Sequence, residues 1–311
     1  MAGGSGGSSP TPIAGTAAPL AAVVSPTGQP PTPTPAASPT PAGPPTASPS
    51  PSAPPAAKGE TPTPAPVPTP AAAGGTYIAL GDSLTVGVGS TPGNSFVALV
   101  ARALGEGVEL LNLGHSGDTS RDLMDHGHLD RALAEIRARN SDGRSDNDVR
   151  LVTITIGGND LLRLFFDYVA RGRCASREQF LASQECIDVF RATLAALAAN
   201  LNVILPRLRQ ELPGERIVLF TLYNPFSGRD AVIGALGDLA LEGDSNTVIA
   251  QGVNTVLRAA ARAYGLVLAD VFPPFEGRGG ELIAPDGIHP NDRGYRVMAD
   301  VALVALGVPA R

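Results

Sequence analysis

Ser83, Asp286 and His289 are the residues whose types and spacing first suggest a chemical function. A serine hydroxyl is a weak nucleophile until a base removes its proton, and a neutral histidine is the usual base near neutral pH. A carboxylate then orients the imidazole and stabilises the imidazolium that forms. Asp286 and His289 are close enough in the chain for one loop to supply both. We therefore predict that Ser83 is a nucleophile, His289 its base and Asp286 the orienting acid.

Acyl transfer also needs hydrogen-bond donors for the oxyanion that develops on the substrate. Glycine at position 117 lets the backbone approach a substrate closely, and Asn159 carries a side-chain amide donor. We predict an oxyanion hole made by the backbone N–H groups of Ser83 and Gly117 and by the Asn159 side chain. The predicted catalytic set contains no metal ligand and no cofactor-binding residue.

The elements that must position these residues follow from the hydrophobic pattern. Short apolar runs alternate with longer helical patterns, which is typical of a parallel sheet covered by helices on both faces. The predicted strands are 77–81, 108–113, 150–156, 216–222 and 266–271. The predicted helices are 95–104, 120–138, 188–211, 246–264 and 292–306. Functional residues gather at the carboxyl ends of parallel strands, so Ser83, Gly117 and Asn159 are expected at one edge of the sheet.

Four segments resemble, in order, the motifs of the SGNH or GDSL hydrolase superfamily: Gly81–Leu84, Ser116–Thr119, Gly158–Asp160 and Asp286–Pro290. The resemblance implies a flavodoxin-like three-layer α/β/α sandwich with a mainly parallel five-stranded sheet. It also implies an esterase or lipase with a Ser83–His289–Asp286 triad and an oxyanion hole from Ser83, Gly117 and Asn159. The Gly-x-Ser-x-Gly elbow of the α/β-hydrolases does not occur within residues 76–311, where the near match at residues 114–118 lacks the last glycine.

The first 75 residues differ in composition from the rest of the chain. Of 30 prolines, 21 lie within the first 70 positions, and no aromatic residue precedes Tyr77. Such a segment cannot bury enough apolar surface to fold. We predict a disordered Pro/Thr/Ala/Ser-rich linker or stalk over residues 1–75 and a catalytic domain over residues 76–311. We expect no transmembrane segment and no signal peptide within the sequence, with removal of an upstream signal or anchor left open.

Cys174 and Cys186 lie 12 positions apart, and beside a stalk-like segment this spacing favours a disulfide over buried thiols or half a zinc site. The formal net charge of −6 argues against nucleic acid as a partner. We expect a secreted or cell-surface monomer.

His115, His126 and His128, with Asp125 and Asp130 nearby, raise the question of a metal site. Their spacing matches no standard ligand set. We therefore interpret residues 124–130 as a solvated helix end and predict no metal. His115 is interpreted as a residue that lines the substrate cleft. A role in loops and helix starts is assigned to Asp82, Asp118 and Asp160.

Two further segments, 165–187 and 224–244, are interpreted as insertions that bear on the substrate. Phe165, Phe166 and Tyr168 are expected to pack in the fold, with an acyl-chain wall as the alternative. Residues 231–241 form either a flap over the site or a helix covering the sheet edge. We predict a serine carboxyl-ester hydrolase acting on small-molecule, lipid-like or glycan esters. The alternatives are a carbohydrate O-acetylesterase and a non-catalytic, surface-displayed binding module.

Overall fold

The computed structural model describes residues 74–308, so the predicted linker lies outside the described residues except for its last two positions. The strands are β1 Gly75–Gly81, β2 Val108–Gly114, β3 Val149–Thr155, β4 Arg216–Phe220 and β5 Val267–Ala269. All neighbouring strands pair in parallel, in the order β2-β1-β3-β4-β5. This is the flavodoxin-like order, and it confirms the predicted fold class.

Helices connect and cover the strands. They are α1 Ser83–Val86, α2 Phe96–Leu104, α3 Asp122–Asp125, α4 His128–Asn140, α5 Gly158–Leu164, α6 Arg177–Ala182, α7 Gln184–Glu211, α8 Ala231–Glu242, α9 Val253–Ala263, α10 Phe272–Phe275, α11 Gly279–Leu282 and α12 Asp292–Ala305. A π-helical turn, Phe165–Val169, follows α5 directly.

The side chains of β1 alternate between two hydrophobic cores. Ile78 and Leu80 are fully buried in a core that also contains leucines of α4, α7 and α9. Tyr77 and Ala79 are buried on the other face, in a core built with α2 and α12. A period of two along a strand puts successive side chains on opposite faces. Burial on both faces therefore produces the three layers.

Two predicted helices differ from the observed ones. The predicted helix over residues 120–138 is divided into α3 and α4, because Gly127 between them adopts a left-handed φ of 76°. The predicted helix over residues 246–264 begins only at Val253, since residues 244–249 form a turn in which the Asp244 N–H donates to the Ile249 carbonyl. The helical pattern therefore identified both regions, but it located neither the break at Gly127 nor the start at Val253.

Helix α7 is the one helix within residues 74–308 that is long and apolar enough to cross a membrane by length and composition. Its buried side chains pack in the core beneath the sheet, among them Leu197, Leu201 and Leu208. One face of α7 therefore packs against the domain.

A third, smaller core lies beyond the sandwich. Cys174 and Cys186 form a disulfide there, which is the pairing that the sequence favoured. Phe180 and Phe190 contact each other in the same cluster, and Leu236 of α8 completes it. The two predicted insertions thus pack against each other in one extra layer of structure.

Candidate active site

Ser83 lies at the carboxyl end of β1, as the first residue of α1. The turn before it requires glycine: Gly81 has a φ of 143°, and a Cβ there would lie 2.1 Å from the Thr155 carbonyl oxygen. Asp82 caps α1 by accepting a hydrogen bond from the Leu84 N–H at 3.0 Å. The chain therefore turns sharply where β1 ends beside β3, and Ser83 lies at the carboxyl edge of the sheet.

Asp82 is buried, with 2% of its surface exposed, and it also accepts a hydrogen bond from the Thr155 hydroxyl at 2.9 Å. Burial raises the pKa of Asp82 to about 7, although the hydrogen bonds from Thr155 and Leu84 act in the opposite direction. Its contacts are those of a capping residue within the turn.

His289 and Asp286 lie on a tight hairpin just before α12. The Ala284 N–H donates to the His289 carbonyl at 2.8 Å, which closes the hairpin. His289 Nε2 lies 2.9 Å from Ser83 Oγ, and His289 Nδ1 lies 2.7 Å from Asp286 Oδ2. The structure thus brings the three residues into one hydrogen-bonded line across 206 positions of sequence.

Asp286 is held by the backbone of its own hairpin. Its Oδ1 accepts from the N–H groups of Ile288 and His289, each at 3.0 Å. Partial burial raises the pKa of Asp286, but these two bonds and the His289 side chain outweigh burial and lower it below the usual range. The carboxylate therefore stays charged beside His289 at neutral pH.

Gly117 and Asn159 follow β2 and β3, whose last residues are level with Gly81 of β1. The Asn159 amide donates to the Asp118 carbonyl at 2.9 Å, which joins the two loops. Within the described part of the chain, the N–H groups of Ser83 and Gly117 donate to no other group. These donors are free for a ligand.

A cavity of about 120 Å³, partly open to solvent, begins at Ser83 and His289. Asn159 also lines it, whereas Gly117 and His115 do not. Its walls are otherwise mainly apolar and come from α5, the π-helical turn, α6, α7 and α8; they include Leu161, Phe165, Phe180, Phe190, Ile233 and Leu236. The arrangement can hold an apolar group beside the serine hydroxyl.

Of the three aromatic residues after Asn159 that the sequence singled out, Phe165 is the one at the cavity. Phe165 lines the cavity and stacks on Phe226 at 5.4 Å between ring centroids. Phe166 is 52% exposed, and Tyr168 packs beneath the Arg173 guanidinium. Helix α8 covers the cavity as well as packing on the third core.

His115 does not line the cavity, contrary to the sequence interpretation. Its Nδ1 instead lies 2.8 Å from the carboxylate of Asp118, and His126 and His128 contact the same carboxylate. The role of Asp118 as their common partner was missed, because nothing in the local sequence distinguishes it from an ordinary turn aspartate.

Two residues that support His289 were also missed. Tyr223 donates to the Ile288 carbonyl at 2.9 Å, and Arg229 donates to the Gly287 carbonyl at 3.1 Å. Both approach the hairpin from the loop after β4. No short motif signals such contacts, since they join segments about 60 residues apart in sequence.

Residues 79–297 match the family model described as the GDSL-like lipase/acylhydrolase family. The chain belongs to this family. It is therefore a carboxylic ester hydrolase by class. The matched GDSL-like segment contains Ser83, Gly117, Asn159, Asp286 and His289, together with all five strands but for the first residues of β1.

Among curated proteins, this GDSL-family chain is similar to the spore germination lipase LipC of Bacillus licheniformis. The two are 27% identical over 234 residues, which cover 72% of this chain and 92% of the lipase. It is also 24% identical to the uncharacterised protein YpmR of Bacillus subtilis strain 168, over 71% of this chain and 77% of that protein.

Among solved structures, the GDSL-family chain is similar to the lipase Lip_vut3 from a goat rumen metagenome, with 23% identity, a TM-score of 0.49 and coverage of 74% of this chain and 96% of that one. It is similar to TesA with 22% identity, a TM-score of 0.45 and coverage of 74% and 97% respectively.

Proposed function

We propose that this protein hydrolyses carboxyl esters of apolar acyl chains, with Ser83 as the nucleophile. One observation carries the proposal. The hydrogen-bonded line from Ser83 Oγ through His289 to Asp286 opens directly onto an apolar cavity. The Ser83 oxygen is therefore in contact with its base and next to an apolar binding space.

The chemistry proceeds in two halves. Ser83 Oγ bonds to the ester carbonyl carbon while His289 Nε2 takes the hydroxyl proton, and Asp286 stabilises the resulting imidazolium. The alcohol leaves with that proton, so an acyl-enzyme remains on Ser83. Water then attacks the acyl carbon, again with His289 as the base, and releases the carboxylic acid.

The oxyanion formed in each half needs donors that are already oriented. The proposed donors are the Ser83 and Gly117 N–H groups and the Asn159 side-chain amide. The lack of another acceptor for the two backbone N–H groups supports this role. The bond from the Asn159 amide to the Asp118 carbonyl supports it too, because it ties the side chain to the loop that carries Gly117.

The substrate class follows from the cavity lining. An acetyl group would leave the side chains of Phe180, Ile233 and Leu236 without a partner, whereas an acyl chain of several carbons would contact them. Each buried methylene contributes about 0.8 kcal/mol. We therefore favour lipid-like acyl esters over acetylated glycans.

The disulfide also supports a site of action outside the cytoplasm, since disulfides persist in oxidising compartments. All proposed catalytic groups come from one chain, so a monomer suffices. Alkylation without a reductant, applied to cell fractions of the native culture, tests the compartment. We expect the protein in the extracellular or surface fraction, with Cys174 and Cys186 unreactive because they are bonded to each other. Protein in the cytoplasmic fraction with both thiols alkylated would contradict a site of action outside the cytoplasm.

A fluorophosphonate probe tests the nucleophile. Mass spectrometry of the labelled full chain is expected to find one adduct on Ser83, and Ser83→Ala is expected to abolish both the adduct and ester hydrolysis. Ser145→Ala is the matched control, because Ser145 is exposed and does not line the cavity. An unlabelled, inactive parent enzyme would instead favour the non-catalytic binding module.

A series of p-nitrophenyl esters from acetyl to palmitoyl, run beside acetylated xylan, tests the substrate class. We expect kcat/KM to rise with chain length to at least six carbons, by about fourfold for each methylene that is buried. A maximum at acetyl, with release of acetate from xylan, would support the carbohydrate O-acetylesterase instead.

A further inference from the structure

A second group of chemically versatile side chains lies outside the cavity. His115, His126 and His128 surround the carboxylate of Asp118, and we call these four residues the histidine cluster. The three Nδ1 atoms lie 2.8, 3.1 and 2.6 Å from the Asp118 oxygens, respectively. The catalytic chemistry proposed above uses none of these side chains, so their convergence needs another explanation.

The fold, rather than the sequence spacing, assembles the cluster. His115 and Asp118 lie in the loop after β2, whereas His126 ends α3 and His128 begins α4. Side chains two positions apart on a continuous helix point in different directions. The left-handed Gly127 interrupts the helix between His126 and His128, and both rings turn toward Asp118. Asp125 and Asp130, which the sequence suggested, take no part.

The four ligand atoms are arranged like those of a metal site. One nitrogen from each ring and one Asp118 oxygen all lie within 4.8 Å of one another. Tetrahedral Zn²⁺ with bonds of about 2.0–2.1 Å separates its ligand atoms by about 3.3 Å. The set is therefore within about 1.5 Å of that spacing.

Access and charge also suit a cation. Asp118 is 1% exposed and supplies a buried negative charge, while the His115 and His126 side chains are 55% and 50% exposed. An ion can therefore enter from solvent and meet the carboxylate at the base of the cluster. Without an ion, each Nδ1 must carry a proton to approach a carboxylate, since an ionised carboxylate only accepts hydrogen bonds.

We propose that His115, Asp118, His126 and His128 bind one divalent transition-metal ion of the zinc class. Imidazole nitrogens suit Zn²⁺, Ni²⁺ and Cu²⁺, whereas Ca²⁺ and Mg²⁺ prefer sets made only of oxygen ligands. Four protein ligands leave no open position, so the ion is structural. On binding, each Nδ1 releases its proton to solvent, and a ring that was neutral takes up one proton at Nε2 in exchange. The ion then links the rings to the carboxylate.

The ion would stiffen the loop that bears the proposed oxyanion donor. Asp118 directly follows Gly117, and its carbonyl accepts the hydrogen bond from the Asn159 amide. Metal at Asp118 therefore links α3 and α4 to this loop without touching the ester. The inference does not depend on Ser83 being the nucleophile, because metal binding can be measured without turnover.

The test uses the full chain, purified without a histidine tag and dialysed against a chelator. Zinc content by inductively coupled plasma mass spectrometry is expected to reach one ion per chain after ZnCl₂ is added and excess removed. Co²⁺ is expected to produce the intense visible bands of four-coordinate cobalt. Zn²⁺ at hundredfold excess over its Kd should raise Tm by about 5 °C or more.

Asp118→Asn and His128→Gln are expected to weaken zinc affinity at least about 100-fold. His289→Gln, which changes the chain's one histidine outside the cluster, should bind zinc as the parent does. Circular dichroism checks that each variant is folded. No stoichiometric metal in the folded parent, or equal metal in the parent and both cluster variants, would overturn the proposal and leave the cluster as three imidazoles bound to a carboxylate.

Discussion

Two groups of histidine and aspartate side chains lie near the carboxyl edge of the sheet, and they differ in how the imidazoles meet the carboxylate. In the catalytic group, one ring uses Nδ1 for Asp286 and Nε2 for Ser83. In the histidine cluster, three rings direct Nδ1 at one carboxylate, that of Asp118. In the linear arrangement His289 can take a proton from Ser83 while Asp286 stays ionised and stabilises the imidazolium. In the convergent arrangement the three rings all face one carboxylate, and none of them contacts a hydroxyl nucleophile.

Burial separates the two carboxylates further. The Asp286 side chain is 42% exposed and that of Asp118 is 1% exposed. Burial raises the pKa of Asp118, but hydrogen bonds from His128, His115 and His126 outweigh it and lower the pKa below the usual value. The same residue types therefore support proton transfer at one place and a fixed charge at the other.

The largest expected difference between the groups concerns turnover. His289→Gln should lower kcat by about 10⁴-fold or more, because His289 is the base that contacts Ser83 Oγ within residues 74–308. His128→Gln should change kcat by less than about tenfold, since His128 contacts no reacting atom. Steady-state kinetics on a p-nitrophenyl ester measures both, with a thermal melt to verify folding. Similar losses of kcat in the two variants would contradict the assignment of catalysis to His289 alone among these histidines.

The two aspartates provide the next contrast. Asp286→Asn should lower kcat by about 10³-fold with little change in stability, because asparagine favours the wrong tautomer of His289. Asp118→Asn should instead cost about 2–3 kcal/mol of unfolding free energy, since three imidazole donors lose the buried anionic acceptor that they share.

Urea titrations and kinetics on both variants separate these effects. Ser145→Ala, which alters an exposed side chain, is the control, and we expect it to change neither kcat nor the free energy of unfolding. A loss of stability in Asp286→Asn with unchanged kcat would contradict the assignment of the two carboxylates.

Asp82 sharpens the comparison, because it is a buried aspartate without a histidine partner and its pKa is raised to about 7. The folded state then binds more protons than the unfolded state between about pH 4 and 7, so stability falls as pH rises. The parent should lose about 3 kcal/mol of unfolding free energy between pH 5 and 8 relative to Asp82→Asn. Parallel pH dependences in the two proteins would contradict the raised pKa.

The cavity is a further difference, since His289 faces it and His115 does not. Ile233→Trp should fill the cavity and lower the ratio of kcat/KM for dodecanoyl over acetyl esters by about 10–100-fold. Val232→Trp is the matched control, because Val232 is the adjacent residue, is 54% exposed and does not line the cavity. Equal profiles in the two variants would show that acyl chains bind elsewhere.

Much of the fold was predictable because it depends on local patterns. The five strands were located to within about two residues at most ends, since buried parallel strands are short apolar runs bounded by glycine and polar residues. The break at Gly127 was not predicted, because a glycine within a helical pattern is often tolerated. Only packing on both sides of it selects the left-handed conformation.

The sequence by itself determined the fold class, the family motifs and which residues could serve as nucleophile, base, acid and oxyanion donors, because each is encoded within a few adjacent positions. Tertiary structure decided which of those residues lie close together in space. It brought Ser83 to His289, formed the apolar cavity from helical segments that are distant in sequence, and gathered three histidines around Asp118. Contacts between distant segments depend on strand register and helix breaks, and these are set by packing of the whole domain rather than by neighbours in sequence.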